Sequence, residues 1–283
     1  MKVLFFGRAG CWRTTQALNY LIKLGFDVSF TESVDRKASL KGEIGSWEGD
    51  YIFCFRSLFV VPKSLLEKAK IASVNFHPAP PEYPGSGCLN FALYDQKNEY
   101  GVTSHLMTEL IDDGRIIKCV RFPITENDSV STLLERTHDE LLALFYEVTR
   151  EISSKGVKFI NKALKESFSE KWDGPARKLA ELNEMQKITS NISEMEMGKI
   201  VRATFTEAYP TKLLLHGYEF VLKNAHKSRS RESNDYYLRN IMRGISQSEL
   251  DEVLDAQFIK GVQPKINLHG YDFVLLNDKK STN

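Results

Sequence analysis

Short apolar runs that stop at turn residues alternate with helical patterns through the first half of this chain, and that alternation leaves few folds open. Lys2-Val3-Leu4-Phe5-Phe6 is continuous and ends at Gly7-Arg8-Ala9-Gly10. Ala17, Leu18, Leu21, Ile22 and Leu24 follow at helical spacing up to Gly25, and Asp27-Val28-Ser29-Phe30 begins a second strand, so the opening reads as a βαβ unit. Tyr51 to Phe55 as a strand, Pro62 to Lys70 as a short helix and Ala72 to Phe76 as a strand repeat the theme. Apolar runs without alternation belong to strands covered on both faces, which predicts an α/β, Rossmann-like, mainly parallel sheet. Such sheets bind ligands beyond the carboxyl ends of their strands, which singles out loops 7–13, 53–62 and 75–90.

The sheet has room to continue. Gly101 to Met107 reads as a further strand, Ile116 to Phe122 as its partner across the acidic turn Asp112-Asp113-Gly114, and residues 129–166 as two amphipathic helices meeting near Ser153 to Gly156. A length of 283 residues exceeds one ordinary domain and predicts a core with an appendage: a catalytic domain over 1–168, a polar crossing segment over 169–205 and a small β-rich C-terminal module over 206–283. Within that module Lys212 to Leu222 and Lys265 to Leu275 are near copies, each a hairpin turning at His-Gly, and two copies are too few for a solenoid. Ser246 with Glu249 predicts a capped helix between them.

Composition narrows the function classes. At 42% hydrophobic and 27% charged residues the chain is globular, and 38 basic against 37 acidic residues speak against a protein that grips nucleic acid or a membrane through bulk charge. Cys11, Cys54, Cys88 and Cys119 form no CxxC pair or Cys/His cluster, so free thiols in a reducing cytosol are expected and no metal. The opening run is cut by Gly7 and Arg8 before it makes a secretory segment, and no run is long enough to span a bilayer; a cytoplasmic location is expected. The basic stretch Lys227, Arg229, Arg231, Arg239 and Arg243, offset by Glu232 and Asp235, reads as a solvated linker. His216 and His269 read as turn residues, and His138 as an interface or surface residue.

The most informative stretch is Val74-Asn75-Phe76-His77-Pro78-Ala79-Pro80-Pro81-Glu82-Tyr83-Pro84. Strand side chains two apart point the same way, so Asn75 and His77 present an amide and an imidazole side by side at a strand's carboxyl end. Four of the chain's nine prolines then stiffen the exit, as positioning a substrate requires.

Asn75-x-His77-Pro78 followed by Asp112-x-Gly114-x-Ile116 resembles the hallmark of the tetrahydrofolate-dependent formyltransferases, and the run from Asn75 to Tyr94, with Gly101 to Met107 and Thr204 to Pro210, looks most like the sugar N-formyltransferases of that family. The resemblance is dense over about residues 50–122 and looser over 1–50 and 170–222. It implies a catalytic triad of Asn75, His77 and Asp112 and the co-substrate N10-formyltetrahydrofolate. Formyl transfer to an amine passes through a tetrahedral oxyanion, so His77 fits the proton carrier, Asn75 the carbonyl donor, and Asp112 the group that orients His77 and helps relay a proton to the leaving nitrogen. Asp113 leaves the register open by one.

The resemblance also implies a folate site along Phe53, Arg56, Ser57, Leu58 and Val60, with Asp112 at its edge. For a nucleotide-linked amino sugar, a glycine turn at a helix start offers amide hydrogens to an anion, with Arg8, Gly10 and Arg13 nearby; Ser86 and Gly87 are a candidate sugar wall. Arg202 and Tyr209 resemble the family's nucleotide segment, although its usual double proline is Glu207-Ala208 here. The reading is thus formyl transfer to a dTDP- or GDP-linked 3- or 4-amino sugar for a bacterial surface glycan such as O-antigen, by a homodimer held through its hairpins. A methionyl-tRNA formyltransferase and a catalytically silent binding module stand as alternatives.

Overall fold

The computed structural model describes residues 1–35, 42–227, 245–259 and 263–276. Arg229, Arg231, Glu232, Asp235, Arg239 and Arg243 of the expected linker lie outside them. The chain forms two compact units: the first is 1–89, 97–128 and 132–178; the second is 90–96, 129–131 and 179–283.

The first unit alternates strand and helix: β1 (Lys2–Arg8), α1 (Trp12–Lys23), β2 (Asp27–Ser33), α2 (Gly42–Gly45), β3 (Gly49–Phe55), α3 (Lys63–Leu66), β4 (Ala69–His77), α4 (Cys88–Tyr94), β5 (Glu99–Leu106), β6 (Ile116–Pro123), α5 (Val130–Lys155) and α6 (Val157–Glu166). Six strands form one sheet in the order β2-β1-β3-β4-β5-β6. The first four run parallel, which bears out the mainly parallel sheet, and β5 and β6 are added through antiparallel pairing. The continuous apolar strands are covered on both faces. On one face Phe5, Phe53, Phe55 and Phe76 all pack their rings on Phe145 of α5; on the other Leu4, Phe6, Ile52 and Cys54 pack with Trp47, Val61 and Leu65. Burying side chains of this size contributes roughly 1.5–3 kcal/mol each.

His138 departs from expectation. It is 7% exposed, its Nδ1 has no hydrogen-bond partner, and burial, with the charges of Arg56, Arg13 and Arg8 adding to it, pushes its pKa down to about 3. The amphipathic pattern located the helix without saying how deep its polar margin would sink.

The second unit holds α7 (Leu179–Met185), β7 (Lys187–Thr189), α8 (Glu194–Thr204), β8 (Lys212–Leu215), β9 (Tyr218–Leu222), α9 (Gln247–Ile259), β10 (Lys265–Leu268) and β11 (Tyr271–Leu275). Its five-stranded sheet runs β10-β11-β9-β8-β7. Both hairpins turn where expected, with φ of 47° and 82° at His216 and Gly217 and 52° and 88° at His269 and Gly270. Paired left-handed residues make the turn that matches strand twist. Ser246 caps α9 reciprocally, its Oγ accepting from Glu249 N at 3.3 Å while its own N–H donates to Glu249 Oε2 at 2.7 Å. The stretch 169–205 divides at Lys178 between the units, and it contributes a strand, β7, that its polar composition did not announce.

Candidate active site

The site is built where β4 ends. Alternation along β4 puts Asn75 and His77 on one side, and the proline loop that follows is pinned by β5: Tyr100 donates to Pro78 O at 3.0 Å and Thr103 to Ala79 O at 2.7 Å. The third residue arrives from the loop between β5 and β6. Asp112 has φ of 48°, a left-handed conformation that costs a non-glycine residue of order 1 kcal/mol or more. Two residues on, Gly114 lies against β5 so closely that a Cβ there would sit 1.7 Å from Leu106 O. The glycine lets the loop fold back, and the strained aspartate turns its carboxylate beneath the end of β4.

His77 Nδ1 stands 3.2 Å from Asp112 Oδ2, and Gly85 N donates to the same oxygen at 2.9 Å. Asn75 Nδ2 donates toward Asp112 Oδ1 at 3.4 Å. Of the two aspartates, Asp112 is the one beside His77, and Asp113 is exposed. Both ring nitrogens of His77 face acceptors, since Nε2 is 3.0 Å from Tyr83 O. That is the arrangement of a doubly donating imidazolium. Burial alone would lower the His77 pKa, but the Asp112 carboxylate outweighs it and raises the pKa. Burial likewise pushes Asp112 up, and the charge of His77 with the hydrogen bond from Gly85 N holds it below the usual carboxylate range.

Two further residues complete the cluster, and neither was singled out from the sequence. His105, opposite Asn75 in the β4–β5 register, has Nε2 3.0 Å from Asn75 Nδ2 and 3.4 Å from Asp112 Oδ1. Its Nδ1 donates to Leu106 O at 2.9 Å, which leaves Nε2 as the acceptor for the amide in the neutral ring. Trp172 sets its ring edge-on to both His105 and His77, at 4.9 and 5.6 Å, and donates from Nε1 to Gly114 O at 2.7 Å. The chain after Trp172 is strapped to the proline loop: Asp173 N donates to Pro81 O, Arg177 N to Pro84 O, and Ser86 N to Arg177 O. A period-two reading of Gly101 to Met107 could have found His105; Trp172 comes from far along the chain and leaves no such signal.

The other candidates distribute as follows. Phe53 is fully buried among Tyr51, Phe26 and Phe145, a core residue with no side chain to offer a ligand. Arg56 turns left-handed at φ of 55° where β3 ends and donates to Cys11 Sγ at 2.8 Å. Ser57 Oγ accepts from Phe59 N at 3.1 Å, Leu58 N donates to Ser33 Oγ at 2.8 Å, and Val60 is exposed. Arg13 is buried and held by Asp139 and Glu135 at 2.7 and 2.9 Å, so its charge is already matched; reading it as a diphosphate partner overlooked two acids on α5. Arg8 is exposed at the end of β1, and Gly10, with φ of 67°, lies in the turn before α1. Ser86 and Gly87 precede α4 within the strapped loop. Arg202 and Tyr209 belong to the second unit, Arg202 in the last turn of α8 and Tyr209 exposed in the loop before β8.

Residues 14–149, which include all of this cluster except Trp172, match the Formyl transferase family profile. Sequence relatives of the matched stretch include the methionyl-tRNA formyltransferase of Listeria innocua serovar 6a, 34% identical over 116 residues that make up 41% of this chain and 37% of the relative, and that of Geobacillus sp. (strain WCH70), 39% identical over 83 residues, 29% of this chain and 25% of the relative. The matched stretch thus spans between a quarter and a little more than a third of the length of these curated relatives. Solved structures sharing the fold are a sugar N-formyltransferase from Shewanella sp FDAARGOS_354, at TM-score 0.61 and 17% identity over 81% of this chain and 99% of that one, and the N-formyltransferase of Helicobacter canadensis in complex with folinic acid and dTDP-3-aminofucose, at TM-score 0.57 and 18% identity over 97% of this chain and 98% of that one.

Proposed function

We propose that this chain transfers the formyl group of N10-formyltetrahydrofolate to the amine of a nucleotide-linked amino sugar. The observation that carries the reading is the convergence of Asn75, His77 and Asp112 at the end of β4, inside the stretch that matches the Formyl transferase family profile.

The chemistry follows from the resting arrangement. The attacking amine arrives neutral and adds to the formyl carbon; the carbonyl oxygen becomes an oxyanion, and the attacking nitrogen becomes a cation. His77, protonated against Asp112, gives its Nε2 proton to N10 as the C–N10 bond breaks. The neutral imidazole then takes the proton shed by the new formamide nitrogen and is ready again. Tyr83 O must release Nε2 for this, and Asn75 must swing its amide away from His105 to reach the oxyanion. General acid-base catalysis of this kind supplies about 10²–10⁴-fold. The backbone of Arg56 to Val60 would hold the folate, in keeping with a loop whose side chains carry little of the signal.

For the acceptor, β1 and β3 are neighbours whose connections leave in opposite directions, and ligands gather at such switch points. Arg8, Arg56, the Gly10 turn and the first amides of α1 meet there and suit a diphosphate. Ser86 and Gly87 would wall the sugar. A near-neutral chain favours a small diphosphate over tRNA, and the Helicobacter canadensis neighbour, which spans nearly the same length, holds dTDP-3-aminofucose. A dTDP-linked 3- or 4-amino sugar destined for a surface glycan such as O-antigen, formylated in the cytoplasm, is the reading these features support. Purified protein should convert at least one of a panel of dTDP- and GDP-linked 3- and 4-amino sugars to its formamide; formylation of methionyl-tRNA with no sugar accepted would replace this reading.

A further inference from the structure

The two hairpins are the ends of a longer repeat. Ile192-Ser193-x-x-Glu196 returns as Ile245-Ser246-x-x-Glu249, at the same offset that separates His216-Gly217-Tyr218 from His269-Gly270-Tyr271. Each copy is a serine-capped helix followed by a hairpin: α8 with β8 and β9, then α9 with β10 and β11. The caps match, Ser193 Oγ accepting from Glu196 N at 3.2 Å and Ser246 Oγ from Glu249 N at 3.3 Å.

The copies meet about a twofold relation. Equivalent strands β9 and β11 pair antiparallel so that Val221 opposes its own counterpart Val274, while Phe220 opposes Leu275 and Leu222 opposes Phe273. This is the isologous pairing that two identical chains make across a dyad. The flanking hydrogen bonds obey the same symmetry: Lys223 N donates to Asp272 O and Leu276 N to Glu219 O, both at 2.9 Å. The turn histidines cross over. His216 Nε2 donates to Ile245 O and His269 Nε2 to Ile192 O, each at 2.7 Å, and each carbonyl immediately precedes the serine that caps the other copy's helix. Phe220 and Phe273 are both fully buried in one common cluster. One copy alone falls below the about 40 residues that a chain needs to bury a core unaided, and it would leave β9 as an open apolar edge.

We propose that the second copy is the built-in partner of the first: the edge of β9 and the carbonyl ahead of α8, which a single copy would offer to a second copy of this chain, are closed within one chain. The dimerising role expected of the hairpins is then fulfilled in cis. The copies have also diverged where a ligand is concerned, because the counterparts of Arg202 and Tyr209 are Asp255 and Val262. The second copy keeps the packing positions and lacks the cation and the phenol, so its contribution is the fold of the first. The internal pairing of the two copies does not rest on the formyl-transfer reading.

A Val221→Cys/Val274→Cys variant of the full chain, joined with a short thiol cross-linker and mapped by mass spectrometry beside the two single variants, tests the inference. The expected result is a 221–274 link within one chain, unchanged in yield on dilution. A link between two chains, or no link in a variant whose circular dichroism and melting match wild type, overturns it. His216→Ala and His269→Ala give a second reading: equal downward shifts in melting temperature support the dyad, and an effect from only one of them contradicts it.

Discussion

His77 Nδ1 lies 3.2 Å from Asp112 Oδ2, with both side chains almost wholly buried. Removing the carboxylate therefore leaves a buried imidazole without its counter-charge. Asp112→Asn is expected to lower turnover by about 10²–10⁴-fold and to cost about 3 kcal/mol of stability near pH 6, while Asp113→Asn leaves both near wild type. The pH dependence has a definite sign. The folded pKa of His77, raised to about 9, lies above its ordinary value of 6.5, so the pair's contribution is complete below pH 6.5 and is lost as pH rises through about 9. Asp112 is shifted the other way, and its contribution disappears only as strong acid protonates it. Urea unfolding from pH 6 to 9.5 should show a falling limb in wild type that Asp112→Asn lacks.

His138 predicts the opposite limb. It is held neutral in the folded protein, with a pKa lowered to about 3, and the unfolded chain binds the proton more readily. Stability is thus lost as pH falls below 6.5, by up to about 2 kcal/mol at pH 5. His138→Phe should remove that part of the acid sensitivity, read as a smaller drop in melting temperature between pH 6.5 and 5.

Gly114 has no room for a side chain, since a Cβ would meet the backbone oxygen of Leu106 at 1.7 Å. Gly114→Ala must displace the loop that carries Asp112. A loss of roughly 2–4 kcal/mol is expected on thermal unfolding, with turnover falling as far as it does in Asp112→Asn.

Cysteine reactivity separates the two partly exposed thiols. Burial raises the Cys11 pKa, but hydrogen bonds from Thr14 and the Arg56 charge more than offset it, and the net direction is downward. Burial pushes Cys119 up to about 11. Iodoacetamide at pH 7.5 should label Cys11 well before Cys119, and Arg56→Ala should narrow the gap.

The sheet was legible because Val3 to Phe6 and Tyr51 to Phe55 are apolar without interruption and the runs of β1 and β4 stop at Gly7 and Pro78; the helices of 129–166 and both His-Gly turns were legible for equally local reasons. Asn75 and His77 could be placed on one side of a strand by period alone. What sequence could not show depends on distant chain. Asp139 and Glu135 neutralise Arg13 from another helix, Trp172 reaches the histidines from beyond α6, and β7 is a strand only because β8 pairs with it. His105 was within reach of the period-two rule, but its importance rests on a cross-strand register that no single strand reveals.

The central claim is that His77, set by Asp112, moves the proton in formyl transfer to an amino sugar. Single-turnover formation of the formamido product from N10-formyltetrahydrofolate and an accepted dTDP-linked amino sugar, compared between wild type and His77→Asn at equal folded fraction, tests it most directly. The expected result is product from wild type and a rate at least about 10²-fold lower in the variant; an undiminished rate in His77→Asn would contradict the claim.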